Sequence, residues 1–336
     1  MSKPYYYGGQ AVMEGVMMRG RSTICVAVRA PDGSIVYYEE ELKPGPVLRR
    51  VRNWPFVRGA VVLWDTLLLG MRSLIFSANV GLTDEVEVDE NGETEEAALL
   101  TGPMLWLTVG LSLLFSIALF FVLPLAVIGF LDRWIESDLV SNLIEGALRM
   151  GVLLGYLTLI ARMEDIRRVF AYHGAEHKTI NAWEAGLKLN VENVRTRVLE
   201  HVRCGTGFLL LVVVISVFVF ALLGRPPWIW RVASRIFLVP VIAAIGYEVI
   251  RIGAANAENF FMKLILKPGL VLQRVTTREP DDSMLEVAIA AFKRVAVRDG
   301  VLPEEELNDG AIPVDQLGQP IVEISEPERV AVPAGD

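Results

Sequence analysis

The chain has 336 residues, 53% of them hydrophobic and 21% charged, with mean hydropathy +0.42 and a formal net charge of −8. This apolar bulk excludes an ordinary soluble globular protein and points to a membrane. The acidity is local: Gly81–Pro103 holds eight Asp/Glu and no Lys or Arg, and the segment from Gly300 holds nine against Arg329 alone, so the rest of the chain is basic, as suits an anionic lipid surface.

Taken in order, the first twenty residues, with Gly8, Gly9, Gly15 and Gly20, read as loop. Thr23–Val28 and Ser34–Leu42 are rich in Val, Ile and Tyr around the turn signal Pro31-Asp32-Gly33, and predict a β-hairpin. Residues 1–58 are thus expected to be a cytoplasmic glycine-rich segment and hairpin. Over 59–80, Arg58, Asp65 and Arg72 stand seven apart on an otherwise apolar stretch. One polar stripe on an apolar helix predicts an amphipathic helix lying in the membrane interface. Were it a span, nine Lys/Arg before Gly59 would face outward. Residues 81–103 follow as an acidic linker.

Four stretches can cross a bilayer: Met104–Leu131, Leu139–Ala161, Thr206–Gly224 and Val232–Ile250. Arg162–Arg203 carries eight Lys/Arg, while the short loops carry few. Four spans with both termini cytoplasmic satisfy that asymmetry. Residues 1–20 lack a charged segment followed by an apolar one, so internal spans are expected to direct insertion. The membrane domain is expected over 104–297. It includes a cytoplasmic loop, 162–205, and a C-terminal helix opened by the capping box Ser283–Glu286. Residues 298–336 predict an acidic disordered tail. The fold class is mainly α: a polytopic membrane protein with four transmembrane helices, a small N-terminal β unit and cytoplasmic helices.

All three histidines, His173, His177 and His201, fall within 29 residues, and His173, Glu176 and His177 spell H-x-x-E-H. Cys204, one of two cysteines with Cys25, follows His201 by three. Two cysteines make no disulfide framework and suit a reducing compartment. Arg162–Gly186 has no proline and one interior glycine, Gly174, and predicts a helix continuing the second span. On it His173, His177 and Glu184 share a face, with Glu176 on its shoulder. Two imidazoles and a carboxylate on one face can hold a divalent ion such as zinc, with Glu176 as general base. The third ligand is expected from His201, Cys204, Glu184 or Glu248, all at one membrane face. A closed shell of three His and Cys204 would be structural, and an open one catalytic. The bland alternative is interfacial histidines bonded to carboxylates or lipid phosphate.

Glu145 and Arg149, four apart in a span, are expected to pair, or Arg149 to snorkel. Three functions follow from these groups. The first is a membrane-embedded metal-dependent hydrolase, with Glu176 as base and Arg19 or Arg203 stabilising negative charge. The second is a non-catalytic scaffold or assembly factor built on a structural zinc site. The third, weaker, is a small transporter using Glu145 and Arg149. The expected partners are the lipid bilayer and proteins at the cytoplasmic face, with no nucleic acid.

Several blocks carry a resemblance. Gly8–Gly20 (GGQAVMEGVMMRG) resembles the opening signature of the YqhQ-like family of bacterial membrane proteins, domain of unknown function 1385. Tyr172–Lys178 (YHGAEHK) is similar to its central motif and His201–Phe208 (HVRCGTGF) to its third, where Val202 and Gly207 stand in place of Pro and Ser. Tyr247-Glu248 and Thr276–Asp282 also match. The resemblance runs from about Tyr7 to Val297. It implies a predicted metal-dependent enzyme of the bacterial inner membrane. It also makes the Gln10/Glu14/Arg19 segment an expected neighbour of the histidines.

Overall fold

Long apolar runs give this chain its membrane-length helices, and the computed structural model describes residues 7–43, 50–51, 54–82, 102–256, 259–319 and 321. Most of the expected acidic linker and the last residues of the tail lie outside the described residues. The helices are α1 (Val57–Leu82), α2 (Gly102–Ile117), α3 (Leu123–Leu131), α4 (Asp138–Ile160), α5 (Glu164–Glu184), α6 (Val191–Arg195), α7 (Gly205–Ala221), α8 (Trp228–Phe237), α9 (Val239–Ala255), α10 (Phe260–Thr276) and α11 (Asp282–Arg298). Among the described residues, four helical units are long and apolar enough to cross a membrane: α1, the 105–134 unit built on α2 and α3, α4, and the 228–253 unit of α8 and α9. The expected span Thr206–Gly224 forms the 17-residue apolar α7.

The N-terminal residues expected as loop are strands. β1 (Gly8–Val12), β2 (Gly15–Arg19), β3 (Thr23–Arg29) and β4 (Ile35–Glu41) form an antiparallel meander. Two glycines that suggest a loop are instead demanded by packing. A Cβ on Gly9 would lie 2.8 Å from Glu176 Cγ, and one on Gly15 2.8 Å from Val28 Cγ2. Glu14 takes a left-handed φ of 49° in the tight turn between β1 and β2.

Alternation along the strands gives the sheet two buried faces. Ile24, Val26 and Val28 pack with Leu69, Phe76 and Val80 of α1. Cys25 and Ala27 face α5 and α11, among Tyr172, Leu285, Phe292 and Val295. The tail is more ordered than expected. β5 (Ile312–Pro313) pairs parallel to β4, Val314 joins the core, and Asp309 takes two hydrogen bonds from the buried Arg294.

Two helix boundaries differ from expectation. The second span does not run on into the cytoplasmic helix. A turn at Ala161–Met163 separates α4 from α5, whose first turn carries Glu164 and Asp165 where the helix dipole favours acids. The N-cap of α11 is Asp281 rather than Ser283. Its carboxylate accepts the Met284 N–H and the Ser283 hydroxyl, so the serine lies inside the helix.

Glu145 and Arg149 pair at 2.7 Å, as their spacing predicts, but two further arginines join them. Arg231 and Arg235 of α8 also donate to Glu145, and Arg149 reaches the Phe120 carbonyl inside the π turn Ala118–Val122. Glu145, 1% exposed, is therefore held by three guanidinium groups.

Candidate metal centre

The site is built on α5, which the segment Thr276–Asp282 crosses closely. A Cβ on Gly174 would overlap the Arg278 carbonyl, so only glycine permits the crossing. Arg278 N–H bonds the Phe170 carbonyl, and Lys178 bonds Glu279 and the Arg195 carbonyl. The approach brings the Thr276 carbonyl to His173 Nδ1 at 2.9 Å. One helical turn on, His177 Nδ1 meets the Leu199 carbonyl at 2.5 Å. A carbonyl only accepts, so each ring carries its proton on Nδ1 and presents a bare Nε2.

Cys204 caps the N-terminus of α7. Its sulfur accepts the Thr206 N–H at 3.4 Å, faces the positive end of the helix dipole and lies 3.3 Å from His173 Nε2. Ligand atoms of His173, His177 and Cys204 all fall within 4.8 Å of one another. His177 is 1% exposed, and its Nε2 makes no hydrogen bond, with Glu176 Oε2 3.5 Å away. A buried polar atom without a partner costs about 1–3 kcal/mol.

These features fit a soft divalent ion. Two imidazoles and a thiol are the ligand types of zinc-like sites, and the Nδ1–carbonyl bonds are the outer support such ligands use. Tetrahedral zinc, with bonds of about 2.3 Å to sulfur and about 2.0 Å to nitrogen, needs an S–N separation of about 3.5 Å. The observed 3.3 Å is close to that.

The other expected ligands stand apart. Glu184 shares the helix face of His173, but eleven residues of α-helix carry it about 16 Å along the axis. There it pairs with Arg203 and lies 3.7 Å from His201 Nε2. Burial raises the Glu184 carboxyl, but the His201 bond and the Arg203 charge outweigh this and hold it below its ordinary value. His201 is buried, its ring centroid 5.5 Å from that of His177, yet its Nε2 contacts Arg203 at 3.3 Å. Gln273 fixes the His201 backbone by bonding both its N–H and its carbonyl. Glu248 is taken by Arg58 and the Phe56 N–H, because the start of α1 packs on α9. Arg19 pairs with Asp65 of α1.

The first signature block still reaches the centre, through a different residue. Gly9 makes room for Glu176, while Glu14 braces α5 by accepting from Arg168 and Tyr172. Sequence reasoning missed Gly9, Gln273 and the carbonyls of Leu199 and Thr276. Gly174, the lone interior glycine of its helix, and the matching blocks that hold Gly9 and Thr276 are the traces the sequence carries.

A family model described as "Protein of unknown function (DUF1385)" matches residues 54–298. The uncharacterized protein YqhQ of Bacillus subtilis (strain 168) is 36% identical over 296 residues, which cover 87% of this chain and 92% of that protein. No solved structure matches the chain.

Proposed function

This chain belongs to the DUF1385 family, and we propose that it is a membrane-embedded, metal-dependent hydrolase acting at the cytoplasmic face of the bacterial inner membrane. The observation that carries the reading is the convergence of His173, His177 and Cys204 with the buried Glu176 beside them. His173, His177 and Cys204 would supply three ligands, and a three-ligand set is the catalytic rather than the structural pattern. Zinc suits the donor set. Held by His173, His177 and Cys204, such an ion would supply Lewis-acid polarisation of a substrate oxygen and activation of water near neutral pH.

The chain's own residues have separate tasks. Thr276 and Leu199 orient the imidazoles through their carbonyls. Glu176, 4% exposed, accepts and returns the proton of hydrolysis. Gly9 holds space for it. Arg203, which pairs with Glu184 and contacts His201, is the cation we assign to developing negative charge. Arg19, engaged by Asp65, is not assigned that role.

Pairing of β5 with β4 supports the topology, since it puts chain from both ends into one sheet, to which α5 and α11 also pack. With that sheet on one side, the chain between β4 and α5 crosses an even number of times. The 105–134 unit and α4 make one such pair, and α7 with the 228–253 unit makes another. α1, whose second half packs on the sheet, then lies in the interface with Trp64, Leu67 and Leu68 exposed towards lipid. The excess of Lys/Arg before Gly59 and in Arg162–Arg203 supports assigning that side to the cytoplasm. The basic face is available to protein partners.

A structural zinc knot in a scaffold is the second reading, favoured by the burial of His201 against His177. Metal analysis of wild type and Glu176→Gln, paired with hydrolysis assays on membrane lipid and peptide extracts, decides between the two. The hydrolase reading expects Glu176→Gln to keep stoichiometric metal and lose turnover. Wild-type protein without metal after chelator-free purification overturns both readings.

A further inference from the structure

A second feature adjoins the centre. An apolar cavity of about 230 Å³ lies between α7, α9 and α10. Val202 and Gly207, which flank Cys204 in sequence, line one end of it with Gln273. Leu211, Val214 and Ile265 line its length. Gln273 is the polar side chain of that lining, and it is already bonded to the His201 backbone. Nothing in the lining can recognise a polar solute.

Two observations choose the occupant. Val214 on the apolar α7 and Leu264 and Ile265 on α10 are exposed beside the cavity, an apolar opening that suits hydrocarbon. On α10, Lys263, Lys267 and Arg274 stand four and eleven residues apart, hence on one exposed face of a helix that lines the cavity. An apolar slot beside a cationic helix face matches one hydrocarbon tail under an anionic headgroup.

We propose that this cavity holds an acyl chain of an anionic membrane phospholipid, which is the substrate class of the adjoining centre. Binding of the chain rests on the cavity itself; the substrate assignment rests on the hydrolase reading above. The Gly207–Gly269 crossing, where a Cβ on Gly269 would lie 2.8 Å from Gly207 Cα, sets the end of the slot one turn from Cys204.

The test uses full-length protein in phosphatidylethanolamine–phosphatidylglycerol vesicles with a phosphatidylglycerol analogue photoreactive near its tail end. Label is expected on peptides holding Leu210–Val214 and Leu264–Leu270, above that on the lipid-facing α4 residues Leu154 and Leu159. Val214→Trp and Ile265→Trp, each filling the slot, are expected to lose this excess while keeping the α4 label, which reports folding. A phosphatidylcholine analogue is expected to label less. Equal labelling of slot and α4, or excess label that survives both tryptophans, overturns the proposal, and equal labelling by the two headgroups overturns its anionic part. His173→Ala should keep the label while losing metal. Excess label in wild-type protein that carries no metal would retain the acyl-chain site and remove its role as a substrate site.

Discussion

The Thr276 carbonyl accepts the Nδ1 proton of His173 at 2.9 Å, across 103 residues of chain. That bond fixes which nitrogen of the ring faces Cys204, and the Leu199 carbonyl does the same for His177. We predict that His173→Ala, His177→Ala and Cys204→Ser each weaken metal binding by more than about 100-fold, beyond the 10–100-fold cost of disturbing an outer support. His201→Ala should keep the metal, because its Nε2 is turned towards Arg203 and Glu184. Elemental analysis with metal-competition titration checks both. Loss of metal in His201→Ala would return His201 to the ligand set.

Gly174→Ala pits two effects of opposite sign against each other. Helix propensity alone favours alanine over glycine by about 1 kcal/mol. The added methyl, however, would overlap the Arg278 carbonyl and come within 2.9 Å of Leu199 Cδ2. Overpacking against backbone costs about 1–3 kcal/mol or more, so the variant should be less stable. The same shift moves Thr276 and Leu199, the segments carrying both acceptor carbonyls. Thermal unfolding in detergent is expected to show a lower midpoint, with weaker metal binding. A stabilised variant would mean that the crossing relaxes freely.

The candidate cluster is legible where its chemistry is written in residue type. Imidazole, thiol and carboxylate are scarce or conspicuous, and their clustering in His173–Cys204 pointed to one site. Its supports are less legible, because every residue has a carbonyl: nothing marks Leu199, and the Thr276–Asp282 block does not reveal that the Thr276 carbonyl is what reaches His173. Helical phase puts Glu184 on the face of His173, but phase fixes direction around an axis and not distance along it. The pairing of Glu248 with Arg58 could not be read locally, because the two lie 190 residues apart. The hydrophobic helices were readable from run length. The β1–β2 hairpin was not, since Gly9 and Gly15 answer to neighbours from elsewhere in the chain.

Acid should loosen the junction between α5 and α7. The Glu184 carboxyl is held below its ordinary value, burial being outweighed by His201 and Arg203. A carboxyl with a depressed folded-state pKa stabilises fully above its unfolded value, near 4.3, and that contribution is lost as pH falls through the folded value. Wild type should therefore lose more stability than Glu184→Gln on acidification below about pH 4.5. Melting curves of the two proteins across that range make the comparison. Parallel curves would remove Glu184 from the acid response.

Glu145→Gln should destabilise the helical bundle rather than abolish a transport step. The carboxylate is fully buried and accepts from Arg149, Arg231 and Arg235. Removing its charge leaves three guanidinium groups around a neutral amide, and breaking a buried ion pair costs about 3–5 kcal/mol. The variant should show lower abundance and a lower unfolding midpoint. Normal stability with lost cellular function would favour the transport reading instead.

Shortening the tail tests whether its start belongs to the fold. Asp309 accepts from both terminal nitrogens of Arg294, which is 3% exposed and lies with its guanidinium carbon 3.8 Å from the Tyr37 ring centroid. Truncation after Gly300 removes Asp309, β5 and the buried Val314 together, and leaves that guanidinium without its carboxylate. Asp309→Asn isolates the ionic part. Asp309 is partly exposed, and Arg294 keeps its bond to the Ala290 carbonyl. The cost of the point variant should therefore be about 1–3 kcal/mol, below that of a fully buried pair. The truncation should cost more, because it also uncovers apolar surface on β4 and α1. Truncation after Ile321 keeps all of these contacts and should be neutral. Equal stability of the two truncations would show that the 301–321 segment does not brace the sheet.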